Sequence, residues 1–347
     1  MYDYITSTIH HNNRRDMEQL DDLLAREGIR RDANIDYSVG MYDCNGNLIA
    51  TGSCFANTIR CVAVDSARQG EGLLGVIVSR LLEQMANCGI THVFLYTKQD
   101  RVRYFRDMGF YEIASGLDLV AFLENRRNGF SGFIEDLSSR RREGASSALV
   151  MNCNPFTLGH RYLVERASAE SETVHLFAVS EDVSLFPFAD RYDLIRLGVS
   201  DLRNIELHKT GSYMVSSAVF PSYFLEDDES VITAQAHLDL NIFKKIASAL
   251  GVSRRYVGTE PFSKVTGIYN SVMRSELPKA GIECAEILRI DLDGQPISAS
   301  KVRQAIKEGD MDSVRSMVPK STYDYLLTER GQEVIKRIRE SRSVVHY

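Results

Sequence analysis

The six cysteines of this chain form no C-x-x-C pair and no cluster with histidine. That scatter argues against a disulfide framework and against a zinc site, and it suits the reduced thiols of a cytoplasmic protein. No apolar run is long enough to span a bilayer. The N-terminus, MYDYITSTIHHNNRRD, lacks the charged-then-apolar layout of a signal peptide. Positive charge is in deficit, and a net charge of −6 gives no footing for general nucleic-acid binding. Internal repeats and low-complexity tracts are missing too. What remains is an ordinary globular composition, 44% hydrophobic and 25% charged, over 347 residues. That length suggests about two domains.

The most informative stretch is 148–169, ALVMNCNPFTLGHRYLVERASA. Its apolar start, Ala148 to Met151, has the length of a buried strand. A polar turn follows, broken by Pro155. Beyond Gly159 the spacing becomes helical, with Leu163 and Ala167 on one face. Strand, tight turn and helix in that order put a helix N-terminus at the carboxyl end of a strand, where open α/β sheets bind ligands. Unpaired N–H groups and the positive end of the helix dipole make that spot suitable for phosphate. Thr157 and His160 can both donate there, and Gly159, without a Cβ, permits close backbone approach. Cys153 beside this turn reads as a small buried space-filler.

In the first third, strands are expected over 37–42, 48–55 and 59–64, with an Asn-Gly hairpin turn at Asn45-Gly46. A helix through Val76, Ile77, Leu81 and Met85 follows Gln69-Gly70-Glu71-Gly72. This layout resembles the GNAT acyltransferase family, whose Gly-rich loop receives a CoA pyrophosphate. The resemblance implies a GNAT-like α/β domain over 1–125 in which Gln69, Gly70 and Gly72 bind a CoA-type arm. One departure is Leu74, two positions after Gly72, where that family usually has a small residue. Residues 126–144, rich in charge, Gly and Ser, read as a linker that packs a short helix through Phe130, Phe133, Ile134 and Leu137.

From 145 to 347 strands at 174–179, 205–207, 255–257 and 286–290 alternate with helices, including 237–250. This pattern indicates a parallel sheet. Near the end, Ser298 or Ser300 can cap a helix bearing Val302, Ala305 and Ile306, with Lys301 and Arg303 in its first turn. Cations are disfavoured by the dipole at that end, so an anion would suit them. Gly258 and Thr259, at a strand end, are expected on the adenine side, and Asn154 and Arg191 as further phosphate contacts.

Asn154-Pro155-Phe156-Thr157-Leu158-Gly159-His160 and Ile297-Ser298-Ala299-Ser300-Lys301-Val302-Arg303 resemble the H/T-x-G-H and I-S-S-T-x-x-R motifs of the nucleotidylyltransferase superfamily. Ala299 and Ser300 stand where Ser-Thr is common. Phe186-Pro187-Phe188, Gly211-Ser212-Tyr213, Val219-Phe220-Pro221-Ser222-Tyr223-Phe224, Val257-Gly258-Thr259-Glu260-Pro261-Phe262 and Ile268-Tyr269-Asn270 are similar to one subfamily, the [citrate (pro-3S)-lyase] ligases. These also place a GNAT-like domain first. The resemblance implies a Rossmann-like nucleotidylyltransferase domain over 145–347. It further implies ATP with Mg²⁺, and acetate as the acid to be activated through an acetyl-adenylate. The acceptor would be the phosphopantetheine-type thiol on the acyl-carrier subunit of citrate lyase. His160, Thr157 and Arg303 would be catalytic. ATP would be held by Asn154, Phe156, Gly159, Gly258, Thr259, Ile297, Ser298, Ser300 and Arg191. No dedicated metal ligand, nucleic acid or membrane is expected. Two other readings stay open on the sequence. One is a nucleotidylyltransferase acting on a phosphorylated small molecule such as phosphopantetheine. The other is a GNAT acetyltransferase with a nucleotide-sensing domain.

Overall fold

The structure, a computed structural model, describes residues 4–214, 228–259, 264–292 and 295–342. Its described residues group into two units: Met1–Gly132 with Pro221–Asn241, and Phe133–Phe220 with Ile242–Tyr347. The sequence-based boundary region, 126–144, carries the helix α4 (Gly129–Ser138), whose Leu137 is buried.

The first unit begins with β1 (Ile5–Thr8), α1 (Arg14–Arg26), β2 (Tyr37–Tyr42) and β3 (Leu48–Phe55). The hairpin turn between β2 and β3 forms where Asn45-Gly46 places it. Asp43 accepts from the Asn45 and Asn47 amides at 2.9 Å each, and Gly46 takes φ 76°. Next come β4 (Thr58–Val64), α2 (Leu73–Asn87), β5 (Phe94–Thr97), α3 (Val102–Arg106), β6 (Tyr111–Gly116) and β7 (Val120–Glu124). The seven strands lie in the order β1-β2-β3-β4-β5-β7-β6. All neighbours are antiparallel except β4 and β5, which run parallel and pair only at Thr58–Phe94 and Ile59–Leu95. The apolar side of α2 (Ile77, Val78, Leu81, Met85) closes over this sheet with Val39, Ile49 and Leu95. This is the GNAT-like α/β arrangement.

In the second unit five parallel strands form the sheet: β8 (Ser146–Met151), β9 (Thr173–Ala178), β10 (Ile205–Lys209), β11 (Val252–Gly258) and β12 (Glu283–Ile287). Their order is β10-β9-β8-β11-β12, so the chain reverses its direction of travel between β8 and β11. That reversal opens a crevice at the carboxyl ends of the strands. Helices α5 (Leu158–Glu170), α6 (Phe188–Gly198), α7 (Asp228–Leu250, which belongs to this unit from Ile242 on) and α8 (Lys264–Glu276) connect the strands. The chain then continues through α9 (Ala299–Glu308), α10 (Met311–Met317), α11 (Lys320–Leu326) and α12 (Glu329–Glu340). Leu149 and Met151 of β8, and Val174, Leu176 and Ala178 of β9, face Val164 of α5, Leu194 of α6, Val302 and Ile306 of α9, and Val334 and Ile338 of α12. This is the Rossmann-like parallel architecture.

Two elements differ from the sequence reading. The last strand of the parallel sheet lies three residues earlier than expected, because Glu283 pairs with Arg254 and Cys284 with Arg255. Polar residues there carry no strand signal of their own. Helix α7 starts well before residue 237. Its early turns bury only small or isolated apolar residues, Val231 and Ala234, so they give no four-residue stripe. Val219–Phe224 and Glu260–Phe262 of the subfamily segments lie outside the described residues, apart from their described neighbours. Among the described residues no helix is long and apolar enough to cross a membrane.

The opposite face of the parallel sheet buries two histidines side by side. His175 of β9 and His208 of β10 are 0% and 4% exposed, with Nδ1 and Nε2 3.0 Å apart. Desolvation, then the neighbouring His175, push the His208 pKa down to about 4. A histidine neutral in the fold but protonated when unfolded costs stability as pH falls from about 6.5 towards 4. Urea unfolding at pH 7.5 and pH 5 is therefore expected to show about 2 kcal/mol lower stability at pH 5 from His208 alone. A His208→Gln protein should show a smaller drop, and an equal drop would remove this pair as the cause.

Candidate active site

The turn joining β8 to α5 is held by its carbonyl groups, each claimed by a side chain from a different helix. Arg191 of α6 donates from Nη1 to the Asn152 carbonyl at 2.7 Å. Arg303 of α9 donates from Nη1 to the Asn154 carbonyl. Thr322 of α11 donates from Oγ1 to the Phe156 carbonyl at 3.0 Å. All three donors are buried, at 0%, 3% and 0% exposure. Within this frame Cys153 has φ 53° and the Asn154–Pro155 bond is cis. Cys153 is buried and desolvation pushes its thiol pKa up, so it serves as packing.

At the end of the turn Thr157 caps α5, and the cap fixes the imidazole of His160. The His160 N–H donates to Thr157 Oγ1 at 3.3 Å, and the Thr157 N–H donates back to His160 Nδ1 at 3.1 Å. Thr157 Oγ1 is also 2.9 Å from that Nδ1. With Nδ1 accepting from the backbone, the proton of the neutral ring is assigned to Nε2. The pKa of His160 is pushed down to about 4, by desolvation first and then by the charges of Arg289 and Arg303. At neutral pH the residue is therefore an uncharged Nε2–H donor at a helix N-terminus.

The second motif meets this one directly. Ser298 caps α9, accepting from the Lys301 N–H at 3.3 Å, and its Oγ is 3.0 Å from that of Ser300. The preceding residue, Ile297, turns its carbonyl towards α5. A Cβ added to Gly159 would lie 3.1 Å from that oxygen. Glycine here lets the two helix starts come together, and the first-turn amides of a helix suit an anion.

Several sequence-predicted residues have other surroundings than a nucleotide requires. Arg191 is fully buried, and besides Asn152 it donates to the carbonyls of Phe186 (3.1 Å), Val179 (2.9 Å) and Glu181. Its guanidinium is spent on the protein, which corrects the expectation of a phosphate contact. Phe156 is also corrected, being fully buried. Its ring lies nearly parallel to that of His160 at 5.9 Å, and it packs so closely on Gly198 that a Cβ there would clash at 2.4 Å. Asn154 is 3% exposed. Its Oδ1 accepts from the Phe186 N–H at 3.0 Å, while its Nδ2 meets no acceptor among the described residues. Thr157 is 1% exposed, so its hydroxyl orients His160. Gly258 and Thr259 sit half-exposed at the end of β11, and the Gly258 carbonyl accepts from Asn270 Nδ2 at 3.0 Å.

Arg289, just past β12, carries no motif and was not singled out in the sequence. It donates from Nε to the Thr259 carbonyl at 2.7 Å, and its charge reaches His160. In the sequence it falls inside the strand expected at 286–290, which hides it, whereas β12 ends at Ile287.

In the first unit Gly70 and Gly72 take φ 90° and 78°, and Gly72 caps α2 without any side-chain hydrogen bond. Gln69 is exposed, and Glu71 between the glycines accepts from the Tyr4 hydroxyl and pairs with Arg68 at 3.6 Å. Leu74 is partly buried and packs against the core of this unit. A groove of about 440 Å³ runs along α2, lined by Gly72, Gly75, Val76, Ser79, Arg80 and Glu83. Of the three residues expected to hold a CoA-type arm, only Gly72 lines it.

A five-stranded parallel sheet with a T-x-G-H turn that meets an I-S-x-S-x-x-R helix gives this unit a nucleotidylyltransferase-like fold. Comparison with known proteins narrows the class. The protein-family model described as the citrate lyase ligase C-terminal domain matches residues 146–326. The chain is 35% identical to [citrate [pro-3S]-lyase] ligase of Klebsiella pneumoniae over 89% of its own length and 92% of that protein's. It is 39% identical to the enzyme of that name from Escherichia coli K12, over 80% and 81%. A Vibrio parahaemolyticus structure named for nicotinate-nucleotide adenylyltransferase is 15% identical and covers 58% of this chain and 99% of its own, with a TM-score of 0.35. This chain belongs to the citrate lyase ligase family, and it is an enzyme.

The separation of buried anchor from site residue can be measured. Arg191→Ala would leave four carbonyls without their donor, those of Phe186 and Val179 buried and those of Asn152 and Glu181 part-buried, at about 1–3 kcal/mol for each buried one. It is expected to lower unfolding free energy by at least about 2 kcal/mol. An Arg191→Ala protein of normal stability that had lost only nucleotide affinity would restore the phosphate-contact role.

Proposed function

We propose that this enzyme acetylates citrate lyase in the cytoplasm, converting ATP, acetate and the thiol form of the lyase to AMP, pyrophosphate and acetyl lyase. The observation that carries the reading is the meeting of Thr157–His160 and Ser298–Arg303 at one sheet edge, in a chain of the citrate lyase ligase family.

ATP lies across the switch point, with its phosphates against the N-termini of α5 and α9 and its base towards Gly258 and Thr259. An acetate oxygen attacks the α-phosphorus, the bond to the bridging oxygen of the β-phosphate breaks, and pyrophosphate leaves with the bonding electrons. The Nε2–H of His160 and the charge of Arg303 offset negative charge growing on the phosphates. Thr157 and Phe156 hold the imidazole in place. Such donors act by fixed position and need no protein nucleophile. The thiolate of the carrier's phosphopantetheine-type arm then attacks the acetyl carbonyl of the mixed anhydride, and AMP departs. Gly70 and Gly72 of the first unit are the proposed hold for that arm's phosphate.

Among the described residues no three His, Cys, Asp or Glu side chains gather to hold a metal. A magnesium ion would therefore be held by phosphate oxygens and water, as suits its preference for keeping several waters. When bound it would neutralise phosphate charge.

His160→Ala is expected to lower the rate of lyase acetylation by about 10²–10³-fold in a protein that still folds, with a melting temperature lowered only by the loss of one capping bond. Retention of more than a tenth of the rate would remove His160 from the chemistry. Because His160 is neutral above its pKa of about 4, its titration adds no inflection near pH 6.5 to kcat/KM. An acid limb at pH 6.5 that disappears in His160→Gln would contradict its assignment as a neutral donor.

A further inference from the structure

Arg289 and Arg303 both act on His160, whereas Arg191 is spent on carbonyls of the β8–α5 turn and its neighbours, and the three differ in what a dissolved anion can reach. Arg191 and Arg303 are 0% and 3% exposed, whereas Arg289 is partly exposed. Arg289 lies two residues beyond β12 at the carboxyl edge of the sheet. Backbone and side chain both moor it. Its N–H donates to Thr259 Oγ1 at 3.3 Å and its Nε to the Thr259 carbonyl at 2.7 Å. Thr259 in turn donates from its N–H to the Ile287 carbonyl at 2.9 Å. The guanidinium is thus set across the ends of β11 and β12, next to the strand whose following turn carries His160. A flexible arginine side chain loses substantial rotamer freedom in such a pose, and the planar group that results is pre-organised for phosphate.

The electrostatics agree with that placement. After desolvation, the charge of Arg289 is the largest influence lowering the His160 pKa, ahead of Arg303. Two guanidinium groups beside one imidazole, at the edge where two helix N-termini also point, concentrate positive potential that an anion relieves.

We propose that Arg289 contacts the phosphates of ATP and is a further catalytic residue of the reaction, an inference that rests on the ATP-dependent reading above. It reaches the nucleotide from the β11–β12 side, opposite the α5 turn. As the bond to pyrophosphate breaks, its charge and N–H groups face the oxygens that gain negative charge, and no proton leaves the guanidinium.

Calorimetric titration with ATP, inorganic pyrophosphate and AMP, on full-length wild type, Arg289→Ala, Arg289→Gln and Arg289→Lys, tests this. Arg289→Ala and Arg289→Gln are expected to bind ATP about 10–100-fold more weakly, with Lys in between. Glutamine can still donate to the Thr259 carbonyl, so wild-type affinity in Arg289→Gln would show a mooring role only and overturn the proposal. Parallel loss for pyrophosphate with AMP unchanged places the contact on the leaving group, and loss for AMP places it on the α-phosphate. A raised KM for acetate with all three affinities unchanged would overturn the phosphate assignment. Failure of wild type itself to bind ATP or pyrophosphate would instead sink the underlying reading, and this inference with it. A readout independent of nucleotide is the His160 imidazole shift by NMR. In Arg289→Ala its pKa should rise from about 4, and an unmoved value would refute the juxtaposition.

Discussion

Three carbonyls of one short turn determine the rest of the second unit's chemistry. The oxygens of Asn152, Asn154 and Phe156 each need a donor in a water-excluded place, and α6, α9 and α11 each supply one. Buried polar groups left unpaired would cost more than the hydrogen bonds gain, so the turn and the three helices specify one another. The turn's carbonyls face into the protein, and its last amide, that of Thr157, is taken by His160 Nδ1. That single bond selects the tautomer and leaves Nε2–H as the chemical group. Desolvation and two nearby arginines then keep the ring uncharged at neutral pH.

Much of this was legible from the sequence because it is local. A strand of Ala148 to Met151, a Gly and a helix have short-range signatures, whereas the reading of Thr157 as a phosphate donor did not foresee that its hydroxyl caps α5 and meets His160. The meeting of the two motifs was also readable, since α9 carries its own cap in Ser298. What escaped depends on long-range packing. Arg191 reads in sequence as a charged helix residue near a phosphate turn. Only the juxtaposition of the ends of β8 and β9 with α6 turns it into a buried anchor for four carbonyls. Phe156 was expected among the residues that hold ATP, yet its ring packs on Gly198, forty-two positions on. Arg289 has no neighbours that mark it, because its partner Thr259 is thirty residues away.

The two units divide along similar lines. In the first, the Asn-Gly hairpin and the apolar stripe of α2 fixed the sheet and its covering helix in advance. The single parallel pair, β4 with β5, could not be read, because strand direction depends on the connection and not on the strand. The grouping of Pro221–Asn241 with Met1–Gly132 was likewise beyond a linear reading, since Val231 and Ala234 show no periodic stripe of their own. The helix starts of the two units differ: Gly72 begins α2 with no side-chain cap, whereas Thr157 and His160 cap α5 reciprocally. Only the second surrounds its helix start with a fixed imidazole and buried guanidinium groups, which is why the activation chemistry is proposed there.

The central claim is that this site activates a carboxylate at the expense of ATP. The most direct measurement is pyrophosphate release from ATP and Mg²⁺, with and without acetate, in the presence of hydroxylamine to trap an acyl-adenylate. The account predicts acetate-dependent pyrophosphate with an equal yield of acetohydroxamate, tested with and without deacetylated citrate lyase. Pyrophosphate release that ignores acetate and the lyase but follows phosphopantetheine, with a stable nucleotide conjugate as product, would contradict it.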